Sequence, residues 1–364
     1  MRVPITGSVA GVNAATSADM AGSTGEVSPV DWDLAVSTAQ RLVRSGPVVS
    51  REEAEQTVAH LRGITTVAEG HVRELTGLGL DLPLLEGDVV DRDGWVEAAV
   101  DSIAALTAGA LPQRPGKVAG SVLAASAGLQ AGMVLAYLGS RVLGQYDPFG
   151  GGSGRLLLVA PNIVAAQRAL DVPSDDFQMW VCLHECTHRL QFTAVDWLRE
   201  YFRDQVATFI SGLDDSANNA FTRLPEVLKA ARSRPDPVGI MELLQSPEQR
   251  EIFDRLIALS TLLEGHADHV MDAVGPLVVP SVATIRERFT VRRRGGGILD
   301  RVLRTLLGVD AKMKQYAEGA RFTKHVVDAV GMDGFNRVWT SPDTLPLRSE
   351  ITDPDAWLRR VAHQ

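Results

Sequence analysis

The stretch DDFQMWVCLHECTHRLQF, residues 175–192, contains two histidines four positions apart, His184 and His188, with Glu185 directly after the first. The chain enters this stretch through Pro-Ser-Asp-Asp, residues 173–176, and a serine followed by acidic residues is typical of a helix start. We therefore predict a helix over about residues 174–203. Because one helical turn separates the two histidines, both imidazoles can reach the same ion.

The two histidines replace apolar residues on the predicted inner face of this helix. Phe177, Val181 and Phe192 follow the same steps of three and four positions. An inward-facing imidazole is costly without a partner, so the pattern favours a metal site over a pair of core histidines satisfied by other groups. Glu185 lies about 100° round the helix from His184, where a carboxylate can act as a base. This arrangement is typical of a zinc hydrolase.

A zinc site of this class needs a third protein ligand, and a second predicted helix, about residues 250–274, offers one. Glu264 and Asp268 share a face of that helix. We predict that Glu264 binds the metal and that Asp268 accepts a hydrogen bond from the outer nitrogen of His184. A solvated acidic face is the alternative. His266, which points away from Glu264, is another candidate ligand, and His269 and Asp272 are weaker ones.

The composition limits the class of protein and its partners. The chain has 364 residues, 45% of them hydrophobic, and a formal net charge of −9, which argues against a nucleic-acid binder. The two cysteines, Cys182 and Cys186, have a spacing that does not suit a disulfide. Two free thiols fit a reducing compartment, so we expect a cytoplasmic protein. We read Cys186 as a packing residue opposite His184.

The rest of the chain reads as mainly helical. We predict a disordered leader over residues 1–29 and one helical domain over 30–364. RLLLVAPN, residues 155–162, is the best strand candidate. The Gly- and Ala-rich residues 118–139 are long enough for a membrane span, but their small side chains favour a buried core helix; an interfacial helix is a third possibility.

Motifs spread over the whole chain resemble those of a known family. Two helices carrying HExxH and ExxxD resemble the zincins that use a glutamate as third zinc ligand. The resemblance is closer to the zincin-like metallopeptidase family of actinobacteria, some members of which are labelled as associated with deazaflavin-coenzyme (F420) biosynthesis. It covers about residues 30–364 and is carried by SRVLGQYDPF, RLLLVAPN, WVCLHECTHRLQFTAVDWL, LLEGHADHVMD, KMKQYAEGARF and DPDAWLRR.

This resemblance implies a mainly α zincin-like fold with a small sheet edge before the HExxH helix. It also implies zinc bound by His184, His188 and Glu264, and Glu185 as the catalytic base. The resemblance implies little about the substrate, and the site chemistry makes a peptide or another amide the expected one. The alternative is a non-catalytic scaffold that binds a partner or a coenzyme and holds a structural metal.

The residue that would stabilise an oxyanion is not evident in the sequence. The downstream histidine that serves this purpose in thermolysin-like enzymes is not recognisable. Tyr316 is a weak candidate, as are Arg321 and His325 on the same predicted helix.

Overall fold

The computed structural model describes residues 28–108, 110, 117–152, 154–212, 246–294 and 309–362. Residues 1–27 of the predicted leader lie outside the described residues. The chain divides into two compact units, residues 1–62 with 87–166 and residues 63–86 with 167–364. That residues 30–364 form a single domain stays a prediction.

The first unit combines helices with one small sheet. Its helices and strands are α1 (Trp32–Leu42), the first half of α2 (Arg51–Thr76), β1 (Asp88–Val90), α3 (Arg92–Thr107), α4 (Lys117–Gly139), β2 (Gly144–Asp147), β3 (Arg155–Val159) and the start of α5 (Ala160–Leu170). Its core is formed by side chains from α1, α3, α4 and β3, among them Trp95, Leu135 and Leu157. The predicted mainly helical class with a small sheet is confirmed.

The predicted strand forms at the centre of the sheet. The strand order is β1-β3-β2, with β1 parallel and β2 antiparallel to β3. β3 ends at Val159, and the Ala-Pro-Asn sequence predicted to close the strand begins α5 instead, since proline is well tolerated in the first turn of a helix. As β3 pairs on both sides, the edges of the sheet in the described part of the chain belong to β1 and β2.

Helix α4 packs on α1 by one face. A side-chain carbon at Gly128 or Gly132 would collide with the α1 segment, at the carbonyls of Asp31 and Ala35 respectively. Small residues therefore serve close packing here, as predicted, but the opposite face, which carries Val122, is exposed. Residues 120–139 are long and apolar enough to cross a membrane by length and composition, and a third of their most apolar window is buried. The core-helix interpretation is thus correct for one face only.

The second unit is helical throughout its described regular elements. It contains the C-terminal halves of α2 and α5, then α6 (Ser174–Thr193), α7 (residues 198–212), α8 (Pro247–Val278), α9 (Val282–Arg294) and α10 (Val309–Phe335). The chain finishes with 3₁₀ turns at Asn336–Trp339 and Pro342–Thr344, short helices α11 (Arg348–Thr352) and α12 (Pro354–Trp357), and a π turn at Leu358–Ala362.

The two helices that carry the motifs differ in length from the prediction. The predicted helix 174–203 is interrupted after Thr193, and within the break Trp197 donates its indole N–H to the carbonyl of Trp339. Helix α6 has Pro173 rather than Ser174 as its N-cap residue. Helix α8 is longer than predicted, since Pro276 lies within its last turns instead of ending it.

Two glycines bring α8 and α10 into backbone contact. A side-chain carbon at Gly265 would overlap the backbone of Gly319, and one at Gly319 would overlap the carbonyl of Thr261. The expectation that Gly265 allows close approach of another helix is confirmed. Because Gly265 follows Glu264 directly, this contact fixes where the predicted third ligand lies relative to α10.

Candidate metal centre

The structure brings together the three residues predicted as metal ligands. One nitrogen from each of His184 and His188 and one carboxylate oxygen of Glu264 lie within 4.8 Å of one another. The two Nε2 atoms are 3.2 Å apart, and Oε2 of Glu264 lies 3.6 Å from Nε2 of His184 and 3.9 Å from Nε2 of His188. Helix α6 supplies both imidazoles and α8 supplies the carboxylate, all within the second unit.

These separations fit a zinc ion. Tetrahedral zinc with ligands at about 2.0–2.1 Å places its donor atoms roughly 3.3 Å apart, and two imidazoles with one carboxylate are a known catalytic donor set. The side chains of His184, His188 and Glu264 are 27%, 15% and 20% exposed. A ligand from solvent can therefore reach the cluster, as a catalytic site with an open coordination position requires.

Glu185, the predicted base, follows the first ligand and is buried. Most of α6 is buried around its whole circumference, and the predicted single apolar stripe understates this. A carboxylate next to a metal ligand in such surroundings can accept a proton from a water that attacks a substrate carbonyl.

Gln191 is a neighbour of the site that the sequence reasoning missed. Its Oε1 lies 2.9 Å from Nδ1 of His188, and its Nε2 lies 3.0 Å from the carbonyl oxygen of Leu263 and 3.0 Å from Nδ1 of His266. The side chain of Gln191 is fully buried. The signal in the sequence was its position three residues after His188, which places it on the same face of the helix one turn on.

His266 is outside the ligand cluster, as its predicted direction on the helix implied. It is fully buried, and its ring lies 5.1 Å from that of Phe335 and 5.6 Å from that of Trp339, measured between centroids. Burial lowers the pKa of His266 to about 3, with a smaller contribution from His269. The imidazole of His266 is therefore neutral at physiological pH.

Asp268, the predicted partner of His184, also lies near an arginine. The guanidinium of Arg286 on α9 donates to the backbone carbonyl of Asp268 at 3.1 Å and lies 3.8 Å from Oδ1 of Asp268. The same guanidinium pairs with Asp272 at 2.9 Å. A positive charge is thus present beside the carboxylates that follow Glu264 on α8. The role of Asp268 toward His184 stays a prediction.

The side of α6 that carries Cys186 contacts the second half of α2. The thiol of Cys186 donates to the carbonyl of Thr65 at 3.4 Å, and Arg189 forms an ion pair with Glu69, which also pairs with Arg73. Burial raises the pKa of Cys186 to about 12, so its thiol stays protonated. Cys186 is a packing residue, as predicted.

Two of the three candidates for stabilising an oxyanion, Arg321 and His325, contact other groups. Tyr316 lies in α10, but its side chain is outside the described part of the structure. Arg321 is exposed and donates to the carbonyl of Ala317, and His325 pairs with Asp355 at 2.8 Å. The catalytic role suggested for Tyr316 stays a prediction.

The chain is similar to known proteins over most of its length. Residues 30–358 match the model of the zincin-like metallopeptidase family. The chain belongs to this family. It is also similar, at 33% identity and a TM-score of 0.65, to a crystal structure from Chloroflexus aurantiacus described as a candidate hydrolase with a novel fold. That likeness covers 91% of this chain and 98% of the other. No curated protein matches the chain.

Proposed function

We propose that this zincin-like protein is a zinc-dependent hydrolase whose simplest substrates are peptides or other amides. The observation that carries the proposal is the cluster of His184, His188 and Glu264, with a spacing and donor chemistry that suit zinc. When bound, zinc supplies a Lewis acid and lowers the pKa of water.

The remaining chemistry belongs to residues of the chain. Glu185 accepts a proton from the attacking water and returns it to the leaving nitrogen, which is general acid–base catalysis by one carboxylate. The partial exposure of the three ligand side chains leaves room for a substrate carbonyl. The narrower assignment to deazaflavin-coenzyme biosynthesis stays a prediction.

Metal analysis of purified protein tests the site. We expect about one zinc per chain in the wild type and a large loss in His184→Ala and Glu264→Ala, because each removes one of three protein ligands. His325→Ala and Glu251→Ala are matched controls, since both residues pair at the exposed surface with other partners, and they should retain zinc. Wild-type zinc content in both ligand variants would refute the proposal.

Turnover separates an enzyme from a scaffold. Glu185→Gln should keep zinc and reduce kcat by about 10²–10⁴ on whichever amide the wild type cleaves, because it removes the proton acceptor. A mixture of peptides analysed by mass spectrometry provides an unbiased substrate screen. Cleavage that survives in Glu185→Gln would contradict the proposed role of this carboxylate.

A further inference from the structure

The carbonyl group of Leu263 determines which way the amide of Gln191 points. A carbonyl oxygen only accepts hydrogen bonds, so the Gln191 atom 3.0 Å from it must be the amino nitrogen. The amide oxygen of Gln191 then faces Nδ1 of His188 at 2.9 Å. As this oxygen also only accepts, Nδ1 of His188 must carry the proton.

A neutral imidazole that carries its proton on Nδ1 has its lone pair on Nε2. In His188 that is the nitrogen that lies 3.2 Å from Nε2 of His184 and 3.9 Å from Oε2 of Glu264. A neutral imidazole binds a metal through its unprotonated nitrogen, and the partner of the other nitrogen selects the tautomer. The hydrogen bonds around Gln191 thus select the tautomer of His188 that can bind.

His266 holds the second hydrogen of the Gln191 amino group. Nδ1 of His266 lies 3.0 Å from the Gln191 nitrogen and accepts from it, since the amino group of an amide only donates. Within the described residues Nε2 of His266 has no hydrogen-bonding partner, and the ring packs against Phe335 and Trp339.

We infer that Gln191 is a positioning residue of the metal centre. It joins the imidazole of one ligand, His188, to the backbone of Leu263, the residue directly before another ligand, Glu264. It therefore sets both the tautomer of His188 and the position of α8 relative to α6, with His266 as its anchor. The inference rests on the proposed function only where it concerns metal affinity.

Zinc affinity gives the first test. In Gln191→Leu, which keeps similar bulk but has no polar atoms, the dissociation constant for zinc should rise about 10–100-fold, as is typical when a hydrogen bond to a metal-ligating histidine is lost. Gln178→Leu is the matched control, because Gln178 is also buried on α6 and its side chain bonds Ser174. Equal zinc affinity in the two leucine variants would overturn the inference.

The tautomer of His188 gives a second test that needs neither metal nor activity. The chain has eight histidines, so ¹⁵N-histidine labelling of metal-free wild type, with His188→Ala to assign the signal, reports which nitrogen carries the proton. We expect Nδ1–H in the wild type and in Gln178→Leu, and a mixture in Gln191→Leu. Nε2–H at His188 in the wild type would overturn the inference even if Gln191→Leu failed to fold.

The two tests separate this inference from the proposed function. Wild-type protein that binds no zinc, yet shows the Nδ1–H tautomer, would refute the hydrolase proposal and support the role of Gln191 in orienting His188. Protein that binds zinc, yet shows Nε2–H at His188 in its metal-free form, would support the zinc site and refute the role of Gln191 in orienting His188.

Discussion

Helix α6 carries two polar clusters that are completed in different ways. Around Arg189, the charges are compensated by other residues of the chain, since Glu69 pairs with both Arg189 and Arg73 and all three side chains are less than 10% exposed. Around His184 and His188, the donor atoms converge but remain 15–27% exposed. We call these the closed cluster and the open cluster.

The difference indicates where stability and function reside along one helix. In the closed cluster each charge has an opposite charge in contact, so removing one member leaves a buried charge unpaired. In the open cluster two imidazoles and one carboxylate point at one another, and an added cation would complete the set. Substitutions in the closed cluster should therefore affect folding, and those in the open cluster should affect binding.

The largest effect is expected at the centre of the closed cluster. Glu69→Gln removes the negative charge between two buried guanidinium groups and should lower the free energy of unfolding by about 3–5 kcal/mol, as for other broken buried ion pairs. Denaturant unfolding of metal-free protein measures it. Glu55→Gln, in an exposed pair with Arg51, is the control and should leave the midpoint unchanged. A similarly small change in Glu69→Gln would erase the contrast between the clusters.

The helix contact next to the open cluster should show the next largest effect. Gly265→Ala forces a methyl group into the backbone of Gly319 and should destabilise the protein by about 1–3 kcal/mol through overpacking. It should also weaken zinc binding, because α8 must shift and Glu264 moves with it. Gly70→Ala on α2 is a control of opposite sign. Nothing lies within 4 Å of the added carbon there, so alanine should stabilise by about 0.5–1 kcal/mol.

If Gly265→Ala unfolded as the wild type does, the close approach of α8 and α10 would not contribute to stability. If it were destabilised but bound zinc with unchanged affinity, the position of Glu264 would not depend on this contact.

Local sequence patterns predicted the parts of the fold that depend on local interactions. The histidine spacing and the acidic start of α6 are features of a single helix, and so is the shared face of Glu264 and Asp268. The break after Thr193 could not be predicted in this way, because the group that stabilises it, the carbonyl of Trp339, is 142 positions from Trp197. The central place of β3 likewise depends on pairing with residues 88–90, far earlier in the chain.

The same limit applies to the site. The three clustered side chains were identified because metal ligands have a restricted chemistry and spacing. Gln191 was missed because an amide has no such restriction, and its importance becomes visible only when Leu263 and His266 are brought next to it by packing of α8 on α6. Residues that position a ligand are thus harder to predict from sequence than the ligand.

The pH dependence of folding tests the lowered pKa of His266, the buried histidine that bonds Gln191 beside the open cluster. Burial lowers the pKa of His266 to about 3, against 6.5 for an ordinary histidine, so between these values the unfolded chain binds a proton that the folded chain does not. Stability therefore falls as the pH drops from 6.5 toward 3, by up to about 1.4 kcal/mol per pH unit from this residue. Denaturant unfolding between pH 6 and 4.5 measures this loss of stability. In His266→Phe the free energy of unfolding should fall less steeply, by the slope that one proton contributes, which is about 1.4 kcal/mol per pH unit. If the wild type and His266→Phe lost stability with falling pH at the same rate, the pKa of His266 would be the same in the folded and the unfolded chain.

The smallest effect on folding is expected where the effect on binding is largest. Glu264 is partly exposed, so its interactions with the two imidazoles contribute little to folding. In metal-free protein, Glu264→Gln should change the free energy of unfolding by less than about 1 kcal/mol. In excess zinc, the wild type should gain stability by mass action and Glu264→Gln should gain far less. Metal-free Glu264→Gln could instead be destabilised as much as Glu69→Gln. Residues of the chain would then already balance the charge of Glu264, and the distinction between the open and the closed cluster would fail.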